Sequence, residues 1–251
     1  MSNDQTAQAG PKIPAAHLAQ LERIDRSYWW HRVRWRIVRR SLRQFGGGAF
    51  QCYYDIGSGG GGLPALLQRD FSFHAIHLFD QHELETAKLR NGMQQHIVDL
   101  EQCDWRKWPR PDVATCLDVL EHLQEPERLL RGLAEASGPQ RPLLLIMVPA
   151  MSALWSNWDE AAGHHRRYSR MSLCRLLEDS GWRVKQCRYM FHGSVLPLLV
   201  RRWMRRRDQP LVFPEVSDWL NRWLELAFWW EYLATGWCRL PFGSSLVAVA
   251  Q

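Results

Sequence analysis

Apolar positions in this chain fall into short runs whose spacing switches between that of helices and that of strands. Over residues 18–45, Trp30, Val33 and Ile37, with Leu42 further on, share one helical face. Most of Arg23, Arg26, Arg32, Arg34, Arg36, Arg39, Arg40 and Arg43 take the other face, and Gly46, Gly47 and Gly48 end the helix. Residues 53–56 (YYDI) suit the end of a buried strand, and after a run of glycines Leu63, Leu66 and Leu67 restart an apolar pattern at helical spacing. A second short strand reads over 77–80 (HLFD), followed by a short apolar run over 96–100 (HIVDL). Residues 112–117 (DVATCL) and 143–148 (LLLIMV) lack alternation, which predicts strands buried on both faces. Ser172 caps a predicted helix over 173–180 that Gly181 stops. Residues 182–189 alternate as a strand, and 244–250 (SSLVAVA) form the last apolar one.

Roughly fifty residues separate those last two strands, against about two to five in a usual hairpin connection. Within this insertion, 194–200 (SVLPLLV) is apolar and Arg201, Arg202, Arg205, Arg206 and Arg207 follow, the composition of an interfacial membrane segment. From Ser217 a helix is predicted in which Trp219, Trp223, Leu226, Trp230, Leu233 and Trp237 recur every three or four residues. Such a stripe serves either packing over the domain or a subunit, or contact with a hydrophobic ligand or a bilayer.

Composition narrows the class. At 251 residues the chain needs only one α/β domain with elaborations, taken here as 18–251 after a polar, disordered tail over 1–17. That tail lacks the basic start and apolar core of a signal peptide, and no apolar run reaches the roughly 18 residues of a membrane span. The six cysteines are scattered without a C-x-x-C pair, so neither zinc nor a disulfide framework is expected, and a reducing cytoplasm fits. The net charge of +6 is modest, and much of it lies in the N-terminal helix.

Chemistry concentrates first in residues 53–66, YYDIGSGGGGLPAL. Strand, glycine turn and helix make a nucleotide-type site, because a helix start offers unpaired N–H groups and glycines let a ligand approach the backbone. Asp55 ahead of Gly57, Ser58, Gly59 and Gly61 disfavours a pyrophosphate and favours a cationic or hydroxyl-bearing group. D-I-G-S-G-G-G resembles the first motif of class I S-adenosylmethionine-dependent methyltransferases, whose cofactor carries an amino group and a sulfonium. Asp80 lies at a predicted strand end 23 residues beyond Gly57, the place for a carboxylate that accepts from both ribose hydroxyls. The resemblance adds Gln81 beside it, places Asp99 and Leu100 by the adenine, with a turn cap as the other reading of Asp99, and gives Asp118 and Val119 to the cofactor as well.

A second signal is D-V-L-E-H-L over 118–123, which resembles the end of the fourth strand in ubiquinone-biosynthesis-type small-molecule O-methyltransferases, with Q-E-P-E-R-L-L continuing it. The resemblance puts Asp118, Glu121 and His122 at the mouth of the cofactor pocket, where His122 is a candidate base. In such relatives an acid and the Glu-His pair are implicated with a divalent cation. By spacing, a lone Glu-His pair is no metal motif, so no metal is expected. The segment Y-W-W-H-R-V-R-W-R and the loop V-P-A … W-S … D-E-x-x-G-H-x-R-R-Y resemble a bacterial methyltransferase group often associated with glycan and lipid pathways, as does the closing L-P-F-G-S-S-L. That resemblance makes Arg34 a partner for the cofactor carboxylate, with Trp29 and Trp30 closing the site. It gives the acceptor site Trp155, Asp159, Arg166, Arg167, Tyr168 and His164, the second candidate base. Arg166 and Arg167 have the other reading of pairing with Asp159 and Glu160 to fix the loop.

The fold expected is therefore a Rossmann-like α/β class I methyltransferase: a seven-stranded, mostly parallel sheet with helices on both faces, one antiparallel strand and a helical insertion over 191–243. The chemistry expected is attack of an acceptor oxygen, less readily nitrogen or carbon, on the sulfonium methyl, with His122 or His164 taking the proton and Glu121 and Tyr168 assisting. The acceptor is read as a small or lipid-linked molecule, with peripheral membrane contact through 194–237. A nicotinamide-dependent oxidoreductase is disfavoured by Asp55 and by the lack of a Y-x-x-x-K pair. A catalytically silent relative that binds a partner or membrane is the alternative. A nucleic-acid acceptor is disfavoured because no N-P-P-Y-like run follows the fourth strand.

Overall fold

The computed structural model describes residues 28–83, 92–204, 216–236 and 240–251. The tail over 1–17, the first turns expected for the basic helix and Trp237 lie outside the described residues. The strands are β1 (Ala49–Ile56), β2 (Ser72–Asp80), β3 (Met93–Ile97), β4 (Val113–Leu117), β5 (Leu143–Pro149), β6 (Val184–Met190) and β7 (Ser245–Ala250). They form one seven-stranded sheet in the order β3-β2-β1-β4-β5-β7-β6. β7 alone runs antiparallel to its neighbours, β5 and β6, and the other pairs are parallel. The strand order reverses direction between β1 and β4, so their carboxyl ends open the crevice in which sheets of this kind hold ligands.

One face of the sheet is covered by helix α1 (Trp29–Phe45), which puts Val33, Ile37, Val38 and Leu42 into the core completely, as its apolar spacing predicts. Each such side chain contributes about 1.5–3 kcal/mol by leaving water. The short α2 (Gly62–Leu67) joins the same layer. The other face is packed by α3 (Pro126–Ser137) and α5 (Arg170–Asp179). α4 (Asn157–Ala161) is a single turn or so within the loop after β5.

Helix α5 begins three residues earlier than expected. Its cap is Ser169, whose Oγ accepts from Ser172 N–H while the Ser172 hydroxyl accepts from Ser169 N–H. Two serines spaced three apart satisfy two orphan donors reciprocally, so Ser172 is the inner member of the box.

The insertion holds α6 (Val195–Met204) and α7 (Asp218–Ala234). Helix α7 lies on α1, with Phe228 stacked on Trp29 at 4.8 Å between ring centroids and Tyr232 buried. Glu225 is buried beneath Arg32 and Arg36, at 2.9 and 2.6 Å. Asn221 Oδ1 accepts from Trp29 N–H and caps the first turn of α1. This packing turns the tryptophan stripe outward: Trp219, Trp223, Leu226 and Trp230 are 71, 61, 50 and 66% exposed. Of the described residues of the expected seam, only Leu233 packs inward.

Candidate active site

The sheet's carboxyl edge brings the predicted site residues to one crevice. After β1, Gly57, Gly59 and Gly61 all take left-handed backbone angles, with φ of 72°, 48° and 67°. At Gly57 a Cβ would stand 2.2 Å from Val119 Cγ2, so only glycine permits the turn to pass under the β4 loop. At Gly59 a Cβ would meet no atom within 4 Å, which leaves the outer side of the turn open to a ligand. We expect Gly57→Ala to lower S-adenosylmethionine affinity by at least roughly tenfold and to destabilise the chain by about 1–3 kcal/mol, measured by calorimetry and thermal melting. Unchanged values for both would mean that the turn is not under this constraint.

Asp80 ends β2 beside this turn. Its Oδ2 accepts from Gly59 N–H at 2.9 Å and its Oδ1 from His82 N–H at 3.0 Å, so the carboxylate is held at the turn's rim, with Gln81 exposed next to it. Asp55 is buried, and its Oδ1 accepts from Thr115 Oγ1 at 2.7 Å and Tyr53 OH at 3.3 Å. It thus ties β1 to β4 beneath the glycines. Asp99 accepts from Glu101 N–H and Gln102 Nε2, the turn-capping arrangement, with Leu100 buried behind it. Arg34 reaches from α1 to the end of β4, where Nη1 lies 2.5 Å from Asp118 Oδ2. Trp30 covers the guanidinium at 4.1 Å, and Arg34 Nη2 is buried with no hydrogen-bond partner. Asp118 itself has φ 54°, a left-handed angle rare for a residue with a side chain.

Beyond Val119 the chain turns so that Glu121 is fully buried, with no hydrogen-bond partner for either carboxylate oxygen. Burial, reinforced by the charge of Asp118, pushes its carboxyl well above the usual range. His122 meets His164 edge to face at 4.6 Å between centroids. Burial and the neighbouring His164 lower the His122 pKa to about 4, so its imidazole is neutral. Ligand atoms of Glu121, His122 and His164 all lie within 4.8 Å of one another.

His164 is held by its own orienting system. Its Nδ1 is 2.9 Å from Asp159 Oδ1, and Asp159 also accepts from Arg167 Nε at 2.7 Å, Arg167 Nη2 at 3.0 Å and Ser156 N–H at 2.9 Å. The Arg167–Asp159 pairing expected as a loop brace is present, whereas Arg166 donates to the Gln124 carbonyl. Tyr168 is buried and its hydroxyl donates to the Leu120 carbonyl at 3.0 Å, so it is a strut under the β4 loop and not a group facing an acceptor. Sequence reasoning did not single out Tyr53 and Thr115, which hold Asp55, or Asp159 as the partner of His164. The only trace of the last was the five-residue spacing from Asp159 to His164.

Residues 29–186 match the model of a family described as a methyltransferase domain. The chain belongs to this methyltransferase family. Among curated proteins the methyltransferase is similar to the ubiquinone biosynthesis O-methyltransferase of Escherichia fergusonii, at 24% identity over 154 residues, 55% of this chain and 62% of that protein. It therefore spans less than two thirds of that relative's length. Among solved structures it is similar to a chain of the complex between the Haloferax volcanii Trm112 methyltransferase activator and a methyltransferase, with TM-score 0.61, 14% identity, and 94% and 93% of the two chains covered. It is also similar to an S-adenosylmethionine-dependent methyltransferase from Mesorhizobium loti, with TM-score 0.55, 14% identity, and coverage of 87% and 97%. These two likenesses show the shared fold. The matched domain is a methyltransferase domain, and the open glycine turn beside Asp80 has room for a cofactor such as S-adenosylmethionine. No described helix is long and apolar enough to cross a membrane.

Proposed function

We propose that the methyltransferase moves the cofactor's methyl group to an oxygen of a small or lipid-linked acceptor, with His164 as general base. The observation that carries this reading is the Asp159–His164 pair: Asp159 takes the Nδ1 side at 2.9 Å and leaves Nε2 as the proton acceptor. The acceptor oxygen attacks the sulfonium methyl in line, the C–S electrons leave with S-adenosylhomocysteine, and the hydroxyl proton passes to His164 Nε2. Asp159 stabilises the imidazolium so formed, and Arg167 keeps Asp159 ionised. His122, neutral and 4.6 Å away, completes the wall against which the acceptor is aligned. Alignment and exclusion of water supply most of the rate.

On the cofactor side, Asp80 receives the ribose hydroxyls, Gly57, Ser58, Gly59 and Gly61 approach the cofactor's chain, and Arg34 meets its carboxylate through the unpaired Nη2. Asp99 and Leu100 flank the adenine, Val119 forms the floor, and Asp55 and Tyr168 act as positioning residues. Calorimetric titration should give micromolar binding of S-adenosylmethionine and S-adenosylhomocysteine and none of NADH. Asp80→Ala should weaken both by roughly 10–100-fold, the loss of two charge-assisted hydrogen bonds; unchanged affinity would remove Asp80 from the ribose site.

A second reading of the same opening has its own observation, the buried and partnerless Glu121 carboxylate beside two imidazoles. Two imidazoles and a carboxylate suit a divalent cation, with Asp159 orienting His164 from behind. Such an ion would polarise the acceptor hydroxyl. Calorimetry with zinc and magnesium chlorides on the wild type and on Glu121→Gln separates the readings: heat lost in the variant favours the ion, and its absence in both leaves His164 alone.

A further inference from the structure

The outward stripe of α7 and one face of α6 are each unusually apolar for a surface. Besides Trp219, Trp223, Leu226 and Trp230, α6 exposes Leu196, Leu199, Val200 and Trp203, the last at 89%. Trp219, Trp223, Leu226 and Trp230 follow helical spacing on one face, while the opposite face is committed to α1. The two helices belong to one unit. His192 N–H and Gly193 N–H, just before α6, donate to the Glu231 carboxylate of α7 at 2.8 Å each, and Trp29 contacts both Phe191 and Phe228.

From this surface we infer that the methyltransferase docks on an anionic phospholipid bilayer through α6 and α7, and that its acceptor is the headgroup of a membrane-anchored lipid. Tryptophan is the side chain that suits the boundary between headgroups and acyl chains, being large, flat and polar at one edge. Charge selects the anionic surface. Glu225 is buried under Arg32 and Arg36, and Glu231 is spent on backbone N–H groups. Of the acids in the described insertion that leaves Asp218, against Arg201, Arg202 and Arg222, and in sequence the stretch between α6 and α7 adds Arg205, Arg206 and Arg207 against Asp208 and Glu215. Basic residues flanking exposed aromatics are the pattern of interfacial binding.

Position ties this face to the reaction. Arg202 Nη1 donates to the Ala153 carbonyl, in the loop that leaves the carboxyl end of β5 and leads to Asp159 and His164. Helix α6 therefore borders the loop that carries Asp159 and His164, and a lipid-linked hydroxyl bound there would reach His164 without leaving the membrane surface. This rests on the reading of His164 as the base that faces the acceptor.

The test is flotation of the full chain with vesicles of phosphatidylglycerol and phosphatidylcholine, and with phosphatidylcholine alone, for the wild type and for Trp219→Ser/Trp223→Ser/Trp230→Ser. All three sites are exposed, so the fold should survive, and calorimetric S-adenosylmethionine affinity checks that it does. Expected is flotation with the anionic vesicles, a loss of at least roughly tenfold in the triple variant, and equal cofactor affinity in both chains. The proposal is overturned if the wild type stays unbound, if it floats equally on both vesicle types, or if the variant floats like the wild type. It is also overturned if sedimentation shows a wild-type dimer that the variant dissolves, which would give the face to a second copy. Flotation together with full turnover in His164→Ala would sink the base assignment and leave the docking intact.

Discussion

His164→Ala is expected to lower turnover by about 10²–10⁴-fold while leaving S-adenosylmethionine affinity essentially unchanged. One nitrogen of this imidazole is already fixed, by Asp159 Oδ1 at 2.9 Å. It touches neither Asp80 nor the glycine turn, which is why affinity should survive. His122 offers an internal comparison. Because burial and His164 hold its pKa near 4, it stays neutral at higher pH and is a poor proton acceptor. The measurement is S-adenosylhomocysteine release with an acceptor found by screening membrane lipid extracts, for the wild type, His164→Ala and His122→Ala. Full turnover in His164→Ala would remove the base, and a deeper loss in His122→Ala would exchange the two roles.

Much of the fold was legible because its elements obey local rules. The uninterrupted apolar runs of β4 and β5 can be strands only if both faces are covered, and they are. The glycine turn was legible for the same reason, since left-handed angles at Gly57, Gly59 and Gly61 are what glycine supplies. The tryptophan stripe shows where periodicity stops informing. A helix carries two faces at the same spacing, and the choice of inner face in α7 was made by residues distant in sequence, Arg32 and Arg36 around Glu225 and Trp29 against Phe228. No window around residue 225 contains them.

Site residues divide the same way. Asp80 stands where strand length and spacing put it, at the rim of the turn. Tyr168 and Glu121 do not declare themselves, because their roles depend on burial: one hydroxyl is spent on the Leu120 carbonyl, and one carboxyl is left without a partner. Opposite charge within one loop suggests Asp159 and Arg167 as a brace, but only the folded loop shows that the brace also holds the imidazole.

That brace supports the second large expectation. Asp159→Ala should destabilise the methyltransferase by about 3–5 kcal/mol, because the carboxylate is fully buried and its removal leaves Arg167 charged, nearly buried and short of its main partner. For a chain of this size that corresponds to a fall in Tm of roughly 6–20 °C. Arg167 keeps only its Nη1 bond to the Ala150 carbonyl at 3.1 Å, which cannot neutralise it. The dependence on pH has a definite sign. Burial alone would raise the Asp159 carboxyl, but the hydrogen bonds from His164 and Arg167 overcome burial and hold it below its ordinary value of 3.8. A depressed carboxylate contributes its full stability above the unfolded value and loses it as pH falls through the folded one. The gap in Tm between wild type and Asp159→Ala should therefore be widest near neutral pH and shrink below about pH 4. Asp159→Asn, which keeps the shape and removes the charge, should sit much closer to the alanine variant than to the wild type if charge is what Arg167 requires. Thermal melts of the three chains at pH 7 and pH 3 decide it, and a constant gap across that range would mean that packing of the loop, not the ionised carboxylate, is what Asp159 supplies.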